Sequence, residues 1–585
     1  MILELKKYYT TLINDSIKTL VREKNCAEEV KEIEGEIPPK DDMGDYAFPM
    51  FSFSKLLHLS PNSIAESVKT IASSSNKKNA RIETSGPYVN VFFNKDDIYK
   101  SLIKEVSNSD WGKNNFYKGQ KVMIEFSCPN TNKPLHLGHM RNDALGESVA
   151  SLLKESGAEV RKVNLVNDRG IHICKSMLAY EKFGNGETPE SSGVKGDHLV
   201  GNYYVKFNTW QVEATKEKDN INHPTPEEKA QELLEKWESG DKNTLELWNK
   251  MRSWVLDGID KTYKRTGVEF DKYYYESELF KKGKSEVLKG LEKGVFFKSD
   301  DGAVKVDLAP IGLDEKVLLR KDGTSIYITQ DIGTAIERHN DWAYTSCIYV
   351  VGNEQVYHFK VLFYILSLLG YEWSKNLYHL SYGMVNLPDG KMKSREGTVV
   401  DADDLIDKLH DLSLSAIKEE RNLDDNKAND IAEKVALAAL NYFLLSATPN
   451  RDMVFDAKKS LEFQGNTGPY LQYMGARVSA ILRAAKNVKL VNINDINLTG
   501  NEEKLVTLLD DYPNVVEKAA TEKDPSILAV YLYNVSSTFS KWYHYEPILK
   551  ADGDVKVLRL NICIAFKTML EKAFKLLHIP FLEEM

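Results

Sequence analysis

The stretch Val122–Gly146, VMIEFSCPNTNKPLHLGHMRNDALG, limits what this chain can fold into more than any other. Val122, Ile124 and Phe126 alternate with Met123 and Glu125, the period of a strand. Pro129 and Pro134 exclude a helix across the residues that follow. A helix then begins, with His136 and His139 near its N-terminus. A strand, a tight loop and a helix whose first N–H groups face outward form an anion-binding device. Histidines three residues apart share one face of the first turn. With Lys133 and Asn130 beside them, they are placed to grip polyphosphate. A single histidine at a helix start is ordinarily a cap or a surface residue; here a strand, two prolines, a lysine and H-x-G-H coincide. Gly138, with no side chain, leaves the backbone open to a ligand.

The surrounding pattern is that of an α/β doubly wound parallel sheet. EVRKVNLVNDRGIHICKSM (Glu159–Met177) supplies a strand, an Asn-Asp-Arg-Gly turn and a helix. Its turn near Asp168 and the turn near Asn130 are expected to flank one crevice, because ligands of such sheets bind beyond the carboxyl ends of the strands. His172 is read as structural. A second half returns at KVLLRKDGTSIYITQDIGTAIERHNDW (Lys316–Trp342), read as strand, turn, strand and helix. A helix starting near Thr329 would put Asp331 in its first turn, where a carboxylate is favoured by the helix dipole. SCIYVVGNEQVYHFKVLFYILSLLGY (Ser346–Tyr371) is a further strand and helix, with Gly352, Asn353 and Gln355 at the turn between them.

These motifs carry a family resemblance. H-L-G-H resembles the "HIGH" element of class I aminoacyl-tRNA synthetases. The longer S-C-P-N-T-N-K-P-L-H-L-G-H-M-R-N resembles the arginyl-tRNA synthetase form, as do Y-I-T-Q-D-I-G and V-G-N-E-Q. The resemblance implies an arginine pocket lined by Tyr327, Asp331 and Gln355, with Glu125, Asn130 and His139 from the first strand and helix. Such a pocket suits a guanidinium, a planar fork of five donors with a permanent charge. A carboxylate meets it in a bidentate pair and neutral Gln and Tyr oxygens complete the set. Asp331 is the candidate for the guanidinium, Glu125 for the α-amino group or a second guanidinium contact. K-M-K-S-R-E-G-T, after the turn LPDGK, resembles the second class I element, "KMSKS", whose cations hold pyrophosphate. Lys391 and Met392 fit, but Ser394 stands at the second lysine position, between Lys393 and Arg395. Lys133 is the candidate to supply the missing charge. The resemblance thus implies His136, His139, Lys133, Lys391, Lys393 and Arg395 as catalytic, and His136, Gly138, His139 and Lys393 as ATP-binding.

The flanks follow the same family. Residues 1–110 read as a small α+β domain. Leu5, Tyr9, Ile13, Ile17 and Leu20 lie at helical spacing, Ser60 and Pro61 open a second helix, and RIETSGPYVNVFFN reads as a strand. G-D-Y and G-P-Y resemble the arginyl N-terminal domain, which reads the D-loop side of tRNA, with Tyr88 and Asn90 as exposed candidates for an RNA base. Residues 118–400 are the expected Rossmann-type catalytic domain, with a charged helical insertion over about 184–300. Residues 425–585 read as an all-α bundle. G-N-T-G-P-Y-L-Q-Y resembles the start of the arginyl anticodon-binding domain, placing Tyr470, Tyr473, Arg477 and Met585 among the tRNA contacts. Aromatics interleaved with arginine suit stacking on unpaired bases; they equally suit an ordinary helix–helix core.

Composition narrows the remainder. At 585 residues, 42% hydrophobic and 28% charged, the chain is an ordinary globular one of several domains. Five cysteines without a C-x-x-C pair argue against a disulfide framework and a cysteine zinc site, and suit the reducing cytoplasm. No metal-ligand spacing is found, and no segment reads as a signal peptide or membrane span. A net charge of −9 means that RNA must be met by local basic patches. The expected protein is a monomeric arginine–tRNA ligase that uses ATP with Mg²⁺ and L-arginine to charge tRNA(Arg). Activation is expected to depend on bound tRNA. The alternatives are a class I ligase for another amino acid, lysine first, and a non-catalytic tRNA-binding relative.

Overall fold

The computed structural model describes residues 1–26, 30–216, 224–388, 400–420, 423–486, 489–493 and 496–585. The N-terminal part packs the helix Ile2–Glu23 and the helix Pro61–Ser75 on a small antiparallel sheet. Its strands are β1 (Tyr46–Pro49), β2 (Ala80–Ser85) and β3 (Tyr88–Phe93), in the order β1–β3–β2. The first helix buries Leu5, Tyr9, Ile13, Ile17 and Leu20, the stripe its spacing predicts. Ser60 caps the second helix by accepting from the Ser63 N–H, with Pro61 at the first position. β1 forms within the turn-rich segment Ile37–Phe51.

The catalytic part is built on β4 (Lys121–Glu125), β5 (Glu159–Val166), β6 (Lys272–Tyr275), then, after a small sheet, β10 (Ser346–Gly352) and β11 (Leu377–Tyr382). These five strands are all parallel, in the order β11–β10–β4–β5–β6. The chain winds outward from β4 on one side and from β10 on the other, so the switch point lies between β4 and β10. β6 falls inside the span read from sequence as a helical insertion. The helices Gly196–Lys216, Pro226–Ser239 and Lys242–Thr266 precede it.

Strand alternation decides which side chains reach which face. Val122, Ile124, Ile348 and Val350 join the core beneath the helix Leu137–Glu155. Met123, Cys347 and Tyr349 join the opposite core, beneath the helices Tyr327–Asp341 and Val356–Leu368. Glu125, in phase with Met123, is therefore delivered to that second side.

The return at Lys316 differs from the sequence expectation. β9 (Lys316–Leu319) pairs with β8 (Val304–Val306), which pairs in turn with β7 (Phe297–Lys298), in a separate antiparallel sheet. No second strand forms after the turn; a single bridge joins Leu319 to Ser325. The helix begins at Tyr327, so Asp331 lies in its second turn, where the terminal dipole contributes little.

The C-terminal part is helical from Asp425, and Thr467 caps the helix Gly468–Ala485 by accepting from the Tyr470 N–H. Two short strands, Val385–Asn386 and Met453–Val454, pair in parallel and stitch the two parts together. Among the described residues, no helix is long and apolar enough to cross a membrane.

The helix that carries Asp331 meets the helix Lys282–Glu292 backbone to backbone. A Cβ on Gly283 would stand 1.6 Å from the Thr329 carbonyl oxygen, and one on Gly333 would stand 2.4 Å from the Gly283 nitrogen. Neither obstacle is a flexible side chain. Gly283→Ala should therefore destabilise the protein by about 1–3 kcal/mol, the cost of overpacking. A urea midpoint equal to wild type would show that the two helices can separate freely.

Candidate active site

β4 ends at Glu125, and the chain leaves it through Ser127 (φ 71°) and Cys128 (φ 49°), both in the left-handed region. Non-glycine residues persist there only when their surroundings fix them. The Ser127 N–H donates to Asn142 Oδ1 at 2.6 Å, and its hydroxyl lies 2.6 Å from the Tyr263 hydroxyl. Beyond this turn, Asn130 bridges to Asn167, with Thr131 N–H donating to Asn167 and Asn167 N–H to Pro129. The loops after β4 and β5 are thus zipped into one edge of the crevice.

The helix Leu137–Glu155 opens on a capping box made by two histidines. His136 Nδ1 accepts from the Gly138 N–H at 3.1 Å, and His139 Nδ1 accepts from the His136 N–H at 3.1 Å. The rings lie 3.8 Å apart, tilted by 38°. Burial, and then neighbouring Lys133, push His136 down to about 4; burial and the neighbouring His136 push His139 down as well. Both rings are neutral at pH 7. Because each Nδ1 accepts, each Nε2 carries the proton. The pair offers two uncharged donors beside the positive end of a helix. Lys133 is a cation close by, and burial lowers its pKa. A Cβ on Gly138 would also stand 2.9 Å from His136 Cε1, so the capping ring packs against this position.

A cavity of about 180 Å³ lies on the other side of the switch point, with Glu125, Asp331, Arg338, Gln355 and His358 in its wall. Asp331 is hydrogen-bonded to His358 Nε2 at 2.6 Å. Glu125 is buried and ion-paired with Arg338, which is itself 1% exposed. Burial raises the Glu125 pKa, with Arg338 acting against it. At the end of β6, burial lifts Glu276 to about 7, with Arg169 opposing. Arg338, His358 and Glu276 had no signal in the sequence: each is a common residue type, and only tertiary packing sets it beside Glu125 or Asp331.

The structure brings Glu125, Asp331 and Gln355 into one cavity, and His136, His139, Gly138 and Lys133 together at the helix start. It leaves Asn130 exposed at the bridge, and Tyr327 stands 76% exposed at the first residue of its helix. Lys391, Lys393 and Arg395, with Met392 and Ser394, lie outside the described residues.

At the far end of the molecule, the Arg477 guanidinium lies over Tyr473 at 4.6 Å and over Tyr543 at 5.3 Å. Arg477 also lines a cavity of about 850 Å³ with residues 540–541 and 543–550. Tyr470 is half-buried against Tyr533, and Met585 packs near Ile431 and Val435. In the N-terminal part, Tyr88 is half-buried edge-on to exposed Phe51. Asn90, expected to be exposed, is buried at 4%, because β3 is the central strand of its sheet.

Comparison with known proteins agrees with this arrangement along the chain. Residues 7–93 match the family described as "Arginyl tRNA synthetase N terminal domain". Residues 102–457 match "tRNA synthetases class I (R), catalytic domain", and residues 471–585 match "DALR anticodon binding domain". The chain is 51% identical to an arginine–tRNA ligase of Treponema denticola, over 100% of both chains. It is 48% identical to that of Treponema pallidum, over 94% of each. Its fold is similar to the arginyl-tRNA synthetase of Thermus thermophilus, with a TM-score of 0.79 at 23% identity over 99% of this chain and 100% of that one. A neutral histidine pair at a helix start, a carboxylate-lined cavity across the switch point and this end-to-end similarity lead to one assignment: the chain belongs to the arginyl-tRNA synthetase family of class I aminoacyl-tRNA synthetases.

Proposed function

We propose that the two halves of the crevice divide a two-step ligase reaction between them. The cavity holding Asp331 and Gln355 takes L-arginine, and the His136 helix start takes the phosphates of ATP. The observation that carries this reading is the pairing of two sites across one switch point: a cavity with a carboxylate toward solvent, and uncharged donors at a helix N-terminus. Glu125 is internally compensated by Arg338, which leaves Asp331 as the carboxylate for a guanidinium. His358 holds one oxygen of Asp331, Oδ2, and so orients the group.

In the first step, an arginine carboxylate oxygen attacks the α-phosphorus of ATP, the bond to the β-phosphate oxygen breaks, and pyrophosphate leaves. In the second, a terminal ribose hydroxyl of tRNA attacks the adenylate carbonyl, the bond from that carbon to the phosphate oxygen breaks, AMP leaves with the bonding pair, and the hydroxyl proton passes to the leaving phosphate or to water. Both nucleophiles belong to substrates. The protein's task is positioning and stabilising charge that develops on phosphate oxygens. The Nε2–H groups of His136 and His139, the helix N-terminus and Lys133 are arranged for that. Magnesium enters as part of the ATP substrate, held by phosphate and water oxygens. The exposed positions of Asn130 and Tyr327 support a site completed when tRNA binds. Arg477, Tyr473 and Tyr543 form a cation–aromatic surface fitted to unpaired bases.

Arginine-dependent ATP–pyrophosphate exchange, run with and without tRNA(Arg), tests the reading directly. Exchange is expected with tRNA and not without it. Absence under both conditions, or exchange with lysine instead, would overturn it. Asp331→Asn should raise the arginine KM by about 10²–10³-fold, the 3–4 kcal/mol order of a lost charge-assisted pair in a polar site. An unchanged KM would remove Asp331 from the guanidinium.

The neutral histidines make a pH prediction. The folded-state pKa of His136 lies below its ordinary value of 6.5, at about 4. Its neutral form is therefore retained as pH falls through 6.5, and is lost only near 4. The exchange rate should show no acid limb near pH 6.5 that belongs to His136. A limb there that disappears in His136→Asn would refute the assignment. The same shift means that burial of the neutral ring favours folding less as pH falls from about 6.5 towards 4.

A further inference from the structure

The helical insertion has a place in the active site that its sequence did not suggest. Residues Val400–Ala402 run antiparallel to Leu135–Leu137. Leu137 N–H donates to the Val400 carbonyl at 3.2 Å, Ala402 N–H donates to the Leu135 carbonyl at 3.0 Å, and His136 and Asp401 form the bridge between them. The backbone at the first residue of the His136 helix is thus held by a strap from the other half of the fold. Asp401 in turn caps the helix Ala402–Glu420, its Oδ1 accepting from the Asp403 N–H at 2.8 Å.

The strap is itself held by the insertion, and Asp403 is the contact. Lys195 Nζ donates to Asp403 Oδ2 at 2.6 Å, and the Thr262 hydroxyl lies 3.2 Å from both of its oxygens. His198 Nε2 stands 3.3 Å from Asp403 Oδ2 and 3.5 Å from Asp401 Oδ2. Lys195 also donates to Thr262 Oγ1 at 2.6 Å and to fully buried Asp197 at 3.0 Å. Asp197, His198 and Asp403 are close enough together to suggest a metal site. The Lys195 ammonium already supplies the cation there. The same His198 and Asp401 line a cavity of about 210 Å³ whose other wall includes Lys133 and His136.

We propose that Lys195, His198 and Thr262 are positioning residues for ATP activation: acting through Asp403, they fix the Val400–Ala402 strap and so hold His136 and the phosphate-facing helix start. The inference rests on the reading that ATP phosphates bind at His136. It assigns the insertion a mechanical role in the first step of the reaction, on the ATP side and not on the arginine side.

The geometry makes the expected effects separable. Asp403→Asn leaves Lys195 paired to Asp197, so the buried charges stay compensated while the strap loses its anchor. Its kcat in ATP–pyrophosphate exchange should fall at least about tenfold, towards the roughly 10²-fold that a misplacement of about 1 Å costs. The ATP KM should rise, and the arginine KM should stay at the wild-type value. Asp403→Glu should recover part of the loss. Asp407→Asn is the control. Asp407 pairs with Arg265 at 2.7 Å one turn further along the same helix, and so removes a tether between the same elements without touching the strap. It should behave as wild type.

Wild-type exchange kinetics in Asp403→Asn would overturn the proposal. So would an equal loss in Asp407→Asn, or a rise in arginine KM that matches the rise for ATP, because either would mark a general structural tether. Should Asp403→Asn not fold, His198→Gln removes a partly exposed contact and is expected to give a smaller loss of the same kind; no loss would overturn the proposal. An inactive wild-type protein would instead count against the ligase reading, so the two failures remain distinct.

Discussion

Arg141 donates to the carbonyl oxygens of Leu444 and Pro449 at 2.9 Å and of Thr448 and Arg451 at 3.3 Å. The side chain is fully buried, and none of these partners is a carboxylate. Burial pushes its pKa down to about 10, still far above neutrality. A charge in that position stays because both terminal nitrogens of the fork find carbonyl dipoles. The carbonyls come from the end of the helix Asp425–Leu445 and the turn after it, while Arg141 lies two residues beyond His139 in the helix Leu137–Glu155. Other polar residues of the same helix bind elsewhere. Asn142 donates to the Val350 carbonyl of β10 at 2.8 Å, and Ser148 donates to the Leu576 carbonyl of the last long helix at 2.8 Å. The helix that presents the histidines is thus fixed to the sheet, to the turn and to the C-terminal bundle at once.

That fixation bears on the proposal that neutral histidines serve a phosphate site. In water, an uncharged imidazole is a weak partner for a polyanion. In a site whose donors are already oriented, little reorganisation is left for the reaction to perform, and each dipole acts at low dielectric. The histidine capping box uses each Nδ1 to satisfy the helix's own first N–H groups. The same bonds that terminate the helix set the tautomer of both rings. Structure and chemistry are served here by one pair of hydrogen bonds.

Much of this was legible in the residues. The alternation at Val122–Phe126, the prolines and the H-x-G-H run specify strand, loop and helix because each signal is local. The caps at Ser60 and Thr467 were readable for the same reason. The second half was less so: Lys316–Leu319 has the composition of a strand, but composition does not say which sheet a strand joins. A Ser-Ile-Tyr-Ile-Thr run is as good a strand as a helix start until the crossing of Gly283 and Gly333 settles it. Asn90 looked exposed because a single alternating strand does not reveal that it will lie in the middle of its sheet. The strap at Val400–Ala402 and the Lys195–Asp403 contact join residues far apart in the chain, and carry no local mark.

The cavity lined by Glu125 and Asp331 shows why charge is the hardest property to read from sequence. Glu125 and Asp331 look equivalent in the chain: each is an acidic residue at the boundary of a regular element in a crevice-forming segment. Folding makes them different. Glu125 is in phase with the buried residues of β4 and is carried inward, where burial raises its pKa and Arg338 opposes the rise. Asp331 stays a third exposed and, among the described residues, is paired with His358. The difference comes from strand phase at one residue and helix phase at the other, seven residues from Arg338. An arginine of the protein's own therefore already pairs with Glu125, and in the arginine-binding reading proposed above it is Asp331 that is left for a substrate guanidinium.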